Sequence, residues 1–236
     1  TLLPSSARAG GTQELIKRLD DPKTGPGLRT LIAKAIVQRD NGSAVRIARY
    51  SPRRKWVGRS LSDIASSEDR PAVEIAEEIM RGGGASVVNV SMSEDDVRHI
   101  MAIDWVATAS DGRAYLPGSD RPHPRNYGTF PRKLAYYALQ EQVLSLEAAV
   151  RSMTSLPAEI LRLTDRGLIQ SGLAADIAVL DTQHLQDTAT FDSPHQYATG
   201  IRHVLVNGTP VVHNGRATGA LPGQALRFQA HNATVR

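Results

Sequence analysis

Asp111 and Arg125 are the residues whose type and place best suit chemistry. Asp111 follows an apolar run, residues 104–109 (DWVATA), and precedes Gly112. If that run is a strand of a barrel or open α/β sheet, its carboxyl end faces the region where such folds bind ligands. A carboxylate there can bind metal or move protons. A turn aspartate accepting backbone N–H groups has the same local pattern, so both readings stand at this level. Arg125 lies in His123-Pro124-Arg125. Its planar guanidinium can clasp a carboxylate through two parallel hydrogen bonds, although a solvated surface arginine has the same local sequence. Tyr127 and Arg132 share that ambiguity.

Several other chemistries find no residues to carry them. The seven histidines contain no H-x-H, H-x3-H or H-E-x2-H spacing, and there is no Cys. This chain therefore cannot by itself supply the three or four ligands of a catalytic zinc. Gly82-Gly83-Gly84 lacks the lysine and hydroxyl of a phosphate loop, and there is no G-x-S-x-G elbow. A net charge of +4 over 236 residues is a weak field. The basic stretch 51–55 (SPRRK) reads as a solvated loop capped by Trp56, because aromatic residues are only 5% of the chain and nucleic-acid binding needs a wider basic stripe with stacking rings. No apolar run approaches the ~18 residues of a membrane span.

The elements that must position Asp111 and Arg125 come from periodicity and punctuation. Helices are expected from Thr12, with Leu15, Ile16 and Leu19 on one face, and over 28–36, where Leu28, Leu31, Ile32, Ala35 and Ile36 form one stripe. A breaker cluster, residues 20–27, separates them. Further helices are expected over 60–66 and over 71–80, the latter opened by proline and closed by the glycine triplet. Residues 45–47, 85–90 and 104–109 read as strands. Ser93 with Asp96 reads as an N-cap and an acidic N3 residue opening a helix between the last two. Strand, helix, strand, helix is α/β grammar. Residues 115–132 read as a long loop, followed by helices from Ser145 and from Pro157 to Leu163. The final third is β: a strand over 175–180, then strands 201–206 and 209–212 joined by Asn207-Gly208, the pair that suits a type I′ turn.

The segments 108–112 (TASDG) and 123–132 (HPRNYGTFPR) carry more than local pattern. With 91–97 (SMSEDDV), 144–157, 165–181 (DRGLIQSGLAADIAVLD), 191–199 and 201–219, they resemble the N-acyl-D-amino-acid deacylases of the metal-dependent amidohydrolase superfamily. Residues 2–22 and the helices behind them resemble that family's helical insertion. The second segment is highly specific, whereas GLAADIAVLD alone would mark only the wider superfamily. The family's H-x-H, its bridging ligand and its two further histidines have no counterpart in this chain. The resemblance therefore implies the C-terminal half of such an enzyme: α/β, the last part of a (β/α)8 barrel with a helical insertion and a small β domain. It divides the chain into an insertion or cover over 1–84, barrel strands and helices with the arginine loop over 85–165, and a β subdomain over 166–236.

The same resemblance implies hydrolysis of the amide bond of N-acyl-D-amino acids by a hydroxide bound to one or two zinc ions. Asp111 would be a metal ligand and proton shuttle, and Arg125 would hold the substrate carboxylate, with Tyr127 beside it. Met92 would line the side-chain pocket, although a plain core role suits it equally. The remaining metal ligands would lie outside this chain, in an N-terminal segment or complementary chain. No nucleic acid or membrane partner is expected, and the location implied is cytoplasmic. The alternative is a non-catalytic remnant or partner subunit of a split amidohydrolase. A half-barrel would leave two strand edges unpaired, so either a missing partner segment or a fold-back over those edges is expected.

Overall fold

A computed structural model describes residues 2–114 and 116–226. The chain divides into two compact units. The first comprises Thr1–Met92, Leu116–His123 and Phe191–His195. Its elements are α1 (Ser5–Arg8), α2 (Gly11–Asp20), α3 (Gly25–Val37), β1 (Val45–Arg49), α4 (Leu61–Glu68), α5 (Ala72–Arg81) and β2 (Ser86–Asn89). The second comprises Ser93–Tyr115, Pro124–Thr190 and Gln196–Arg236.

The helical punctuation of the first unit is local chemistry. Ser60 and Asp63 form a reciprocal capping box at the start of α4, each side chain accepting the other's backbone N–H. Helix α3 begins inside the breaker cluster, at Gly25, because Pro26 is pre-set for the first helical turn. Gly25 is required there: a Cβ would lie 2.3 Å from the Leu19 carbonyl oxygen. Of the α3 stripe, Ile32 and Ile36 are buried while Leu31 is exposed. The helix packs against α2 and α5 along the 32/36 edge, so the buried stripe is narrower than the periodic one.

The core of this unit gathers Leu19, Ile32, Ile47, Leu61, Ile64 and Ile75 around Trp56. The basic stretch capped by that tryptophan is a 3-10 turn, Ser51–Trp56, and Trp56 is completely buried. Its ring stacks on Tyr50 at 5.6 Å, and its indole N–H donates to Glu68 at 3.0 Å. Lys55 reaches the same carboxylate at 2.5 Å. The Lys55 ammonium and then the indole hold the Glu68 carboxyl down at about 2, from an ordinary 4.5. A carboxyl lowered in the folded state stabilises fully above its unfolded pKa and loses that contribution as pH falls. Glu68→Gln should therefore flatten the loss of stability between pH 4.5 and 2, read from urea midpoints across that window. An unchanged acid limb would remove Glu68 from the account.

The first unit's sheet departs from the barrel expectation. Strands β1 and β2 pair antiparallel, with Val45 opposite Asn89 and a register shift near Arg49. Every ladder among the described residues is antiparallel. The run 85–90 thus finds a neighbour in 45–49, which covers one of its edges, and not a parallel strand.

The second unit holds α6 (Glu94–Met101), α7 (Arg125–Arg132), a π-helical stretch (Lys133–Gln140), α8 (Leu146–Met153), α9 (Ser155–Ile160), and β3 (Ile177–Leu180), β4 (Ile201–Val206), β5 (Thr209–His213) and β6 (Arg216–Ala217). Ser93 and Ser145 cap α6 and α8 through their hydroxyls, accepting from the N–H of Asp96 and Ala148. Two sequence expectations change here. Residues 104–109 form no strand: among the described residues they join no ladder, and Thr108 instead gives its N–H to the Ser152 carbonyl at 2.8 Å. The second half of the expected long loop is helix α7. Pro124 precedes its first turn, where the missing N–H costs nothing. The final sheet runs β3-β4-β5-β6. Asn207 and Gly208 both have positive φ, as a type I′ turn demands, and Asn214-Gly215 repeats the device before β6. Residues 227–236 of the expected β subdomain lie outside the described residues. Among the described residues no helix is long and apolar enough to cross a membrane.

Candidate active site

The second unit brings Asp111 and Arg125 together. Asp111 sits in the left-handed region, at φ 46°, which turns the chain sharply after 104–109. Around it, Ser110 Oγ accepts the Gly112 N–H at 3.1 Å, and Asn126 Oδ1 accepts the Arg113 N–H at 2.6 Å. The turn is therefore stitched to the first residues of α7. Arg125, the first residue of that helix, places Nη2 2.7 Å from Asp111 Oδ2. The Asp111 side chain is 85% exposed and that of Arg125 43% exposed, so the pair is open to a solute. Its Coulombic contribution in water is small. A carboxylate at the N-terminal end of α7 is also favoured by the helix dipole.

Tyr127, two residues further along α7, meets Tyr197 edge-on at 5.6 Å, and burial pushes its hydroxyl pKa up. Met92 belongs to the first unit and is 68% exposed, so a plain core role does not describe it. Arg132 stacks its guanidinium over the Tyr136 ring at 4.7 Å.

Sequence reasoning missed two groups near α7. Lys133 is buried, and its Nζ donates to Thr108 Oγ1 at 2.7 Å. Thr108 Oγ1 also lies 3.0 Å from Ser152 Oγ, whose hydroxyl donates to the Ala149 carbonyl. Arg125–Asp111 and Lys133–Thr108 thus clamp the TASDG segment at both ends of α7. The only signal in the sequence is a lysine directly before the apolar run 134–139 (LAYYAL). Asp187 is the second group. It packs against Gly128, where a Cβ would stand 2.1 Å from Oδ1, and burial pushes its carboxyl pKa up.

Burial alone pulls the Lys133 pKa down from 10.5. In the window just below 10.5 the unfolded chain then binds more protons than the folded one, so stability rises with pH there. Lys133→Met should abolish that rise, because Thr108 and Ser152 remain partners for each other. Melting temperatures measured from neutral pH upward test this, and a rise kept by the variant would exclude Lys133 as its source.

Among the described residues no three His, Cys, Asp or Glu side chains come together as metal ligands. The His203 and His213 rings lie 4.9 Å apart, tilted at 50°, across the β4–β5 hairpin, and no third ligand joins them among the described residues. The donor set for zinc is therefore not met by these residues, and Asp111 contributes a single carboxylate beside a cation.

A sequence profile of the amidohydrolase family matches residues 42–212. The D-aminoacylase of Alcaligenes xylosoxydans xylosoxydans is 39% identical over 169 residues, covering 72% of this chain and 34% of that protein. The N-acyl-D-glutamate deacylase of the same organism is 36% identical over 205 residues, covering 87% of this chain and 40% of that protein. The crystal structure of N-acyl-D-glutamate deacylase from Bordetella bronchiseptica, complexed with zinc and a phosphonate mimic of the tetrahedral intermediate, is 30% identical, with a TM-score of 0.66 over 83% of this chain and 46% of that one. The chain thus spans about a third to two fifths of the length of these curated relatives. With the profile extending over most of its length and enclosing both Asp111 and Arg125, the chain belongs to the amidohydrolase family.

Proposed function

We propose that this chain forms part of an enzyme that hydrolyses the amide bond of N-acyl-D-amino acids. The observation that carries the reading is the 2.7 Å approach of Arg125 to Asp111. In an N-acyl amino acid the carboxylate and the scissile amide nitrogen are bonded to the same carbon. A cation that holds the carboxylate and a carboxylate that serves the amide must therefore be close neighbours. Similarity to deacylases of N-acyl-D-amino acids supports the substrate class.

In this reading Arg125 takes the substrate α-carboxylate in place of Asp111, through the same charge-assisted geometry. Release from Arg125 leaves the Asp111 carboxylate able to accept a proton from the attacking water. Asp111 then delivers that proton to the amine nitrogen, without which an amide anion would have to leave. Tyr127 and Tyr197 would wall the α7 side of the site. Residues 85–165 would belong to the end of the barrel and 1–84 to its cover, with the parallel neighbours supplied from outside this chain. Zinc, as in the Bordetella enzyme, would likewise need ligands from outside this chain. The coding sequence upstream of Thr1 tests this directly. An H-x-H within about 250 residues, the length of a whole barrel, is expected. Its absence there, with no complementing chain, would leave a non-catalytic remnant.

Arg125→Ala supplies the kinetic test. Removing the cation that clasps a free carboxylate should cost roughly 2–5 kcal/mol in kcat/KM of the complete enzyme, as for a broken charge pair. Neutral amide analogues lacking the carboxylate should be hydrolysed equally by both proteins. Equal losses on both substrates would instead mean that Arg125 serves only to hold Asp111.

A further inference from the structure

The first unit contains a cavity of about 390 Å³ lined by none of the residues placed in the candidate active site. Its floor is apolar, formed by Leu15, Val45, Ile47, Leu61, Ala76 and other core side chains. Small-molecule sites fall in this size range, with an apolar lining and a few convergent polar groups. The mouth is open on the side of Gly83 and Gly84, where a Cβ would meet nothing within 4 Å.

The charge of the lining has one sign. Arg8 and Arg39 line the cavity, and no acidic residue does. Arg39 is partly tied down, donating to the Ala35 carbonyl at 2.8 Å. Arg8 is exposed, and no ion pair or side-chain hydrogen bond holds it among the described residues. Its backbone is nevertheless fixed, because Arg18 reaches the carbonyls on both sides of it, Ala7 at 3.0 Å and Ala9 at 2.6 Å. The cavity thus combines an apolar floor with an exposed arginine at its rim, whose backbone is fixed and whose guanidinium no acidic side chain neutralises among the described residues.

From this charge complementarity we infer that the cavity binds a single-chain carboxylate amphiphile, with the alkyl chain on the apolar floor and the carboxylate at Arg8. Burying alkyl surface drives the chain inward, and a guanidinium selects a carboxylate head over an ammonium or a hydroxyl. The same chemistry is offered by a free fatty acid or by an N-acylated amino acid. The inference rests on the first unit alone and does not depend on the function proposed for Asp111 and Arg125.

Isothermal titration of the 236-residue chain with decanoate, decylamine and N-decanoylglycine tests it. Decanoate should saturate one site, and decylamine should bind at least about tenfold more weakly, since its head meets a like charge. That comparison uses the unaltered protein and so does not depend on how any variant folds. Arg8→Glu, at an exposed position, should weaken decanoate by at least about tenfold. Val87→Trp, at an exposed lining residue, should block it. Tighter binding of N-decanoylglycine than of decanoate would identify the acylated amino acid as the source, and the reverse order the fatty acid. Equal binding of the amine, decanoate affinity unchanged in Arg8→Glu, or no saturation up to about 1 mM would overturn the assignment.

Discussion

Asp111→Asn is expected to lower kcat of the complete enzyme by about 10²–10⁴-fold, the usual contribution of a positioned general acid–base group. The amide keeps the size of the carboxylate but can neither take the proton of water nor deliver it to the amine. The same change should leave stability within about 0.5 kcal/mol, since the Asp111 side chain is 85% exposed and its bond to Arg125 faces solvent. A large kinetic loss beside a negligible shift in urea midpoint separates proton transfer from mere turn geometry. The left-handed backbone at Asp111 sharpens the contrast, because asparagine tolerates that conformation as well as aspartate does. If kcat survived the change, Asp111 would be a turn residue and the proposed reaction would lose its proton carrier.

Trp56→Ala carries the largest expected effect on folding. Complete burial, stacking on Tyr50 and a bonded indole N–H make this side chain the centre of the first unit. Truncating such a residue removes its transfer free energy and leaves a void, for a cost of about 3–5 kcal/mol. That is a large fraction of the roughly 5–15 kcal/mol that holds a typical domain folded. Glu68 would keep Lys55 as a partner, so the loss reports packing more than an orphaned charge. Urea unfolding followed by far-UV circular dichroism measures it. Tryptophan fluorescence would not serve, since the variant retains only the exposed Trp105 of the second unit. A loss below about 1 kcal/mol would mean that the site collapses around the void and that the tryptophan is not central.

The two effects live on different links of the same chain of causes. Trp56 acts on the packing of a helical unit, and Asp111 acts on a surface turn whose shape is set by its neighbours. Lys133 joins packing to the site, since its bond to Thr108 anchors the segment that ends in Asp111. Asp187 against Gly128 does the same for the other side of α7, where any larger residue would displace the helix.

What the sequence by itself determined is the local chemistry. The hydroxyl caps at Ser93 and Ser145 lie within three residues of the groups they satisfy, and the Asn-Gly turn is equally local. Such devices are readable because their partners are close along the chain. The TASDG and HPRNYGTFPR segments were legible for the same reason, as short runs of specific residues matching a family.

Tertiary structure decided the rest. Residues 85–90 and 45–47 both read as strands, but neither contains anything that says they pair antiparallel with each other. The run 104–109 has strand composition yet gives its Thr108 N–H to a carbonyl of a distant helix, and the loop expected over 115–132 becomes helix from Arg125. Composition records what a segment can do, whereas ladder partners and buried faces are set by segments dozens of residues away. The same holds for the site: Asp111 and Arg125 were each ambiguous alone, and only the turn stitched to α7 brings their charges to 2.7 Å. Two solvated side chains in sequence thereby become one polar constellation, because the backbone that carries them is held by bonds that neither residue makes.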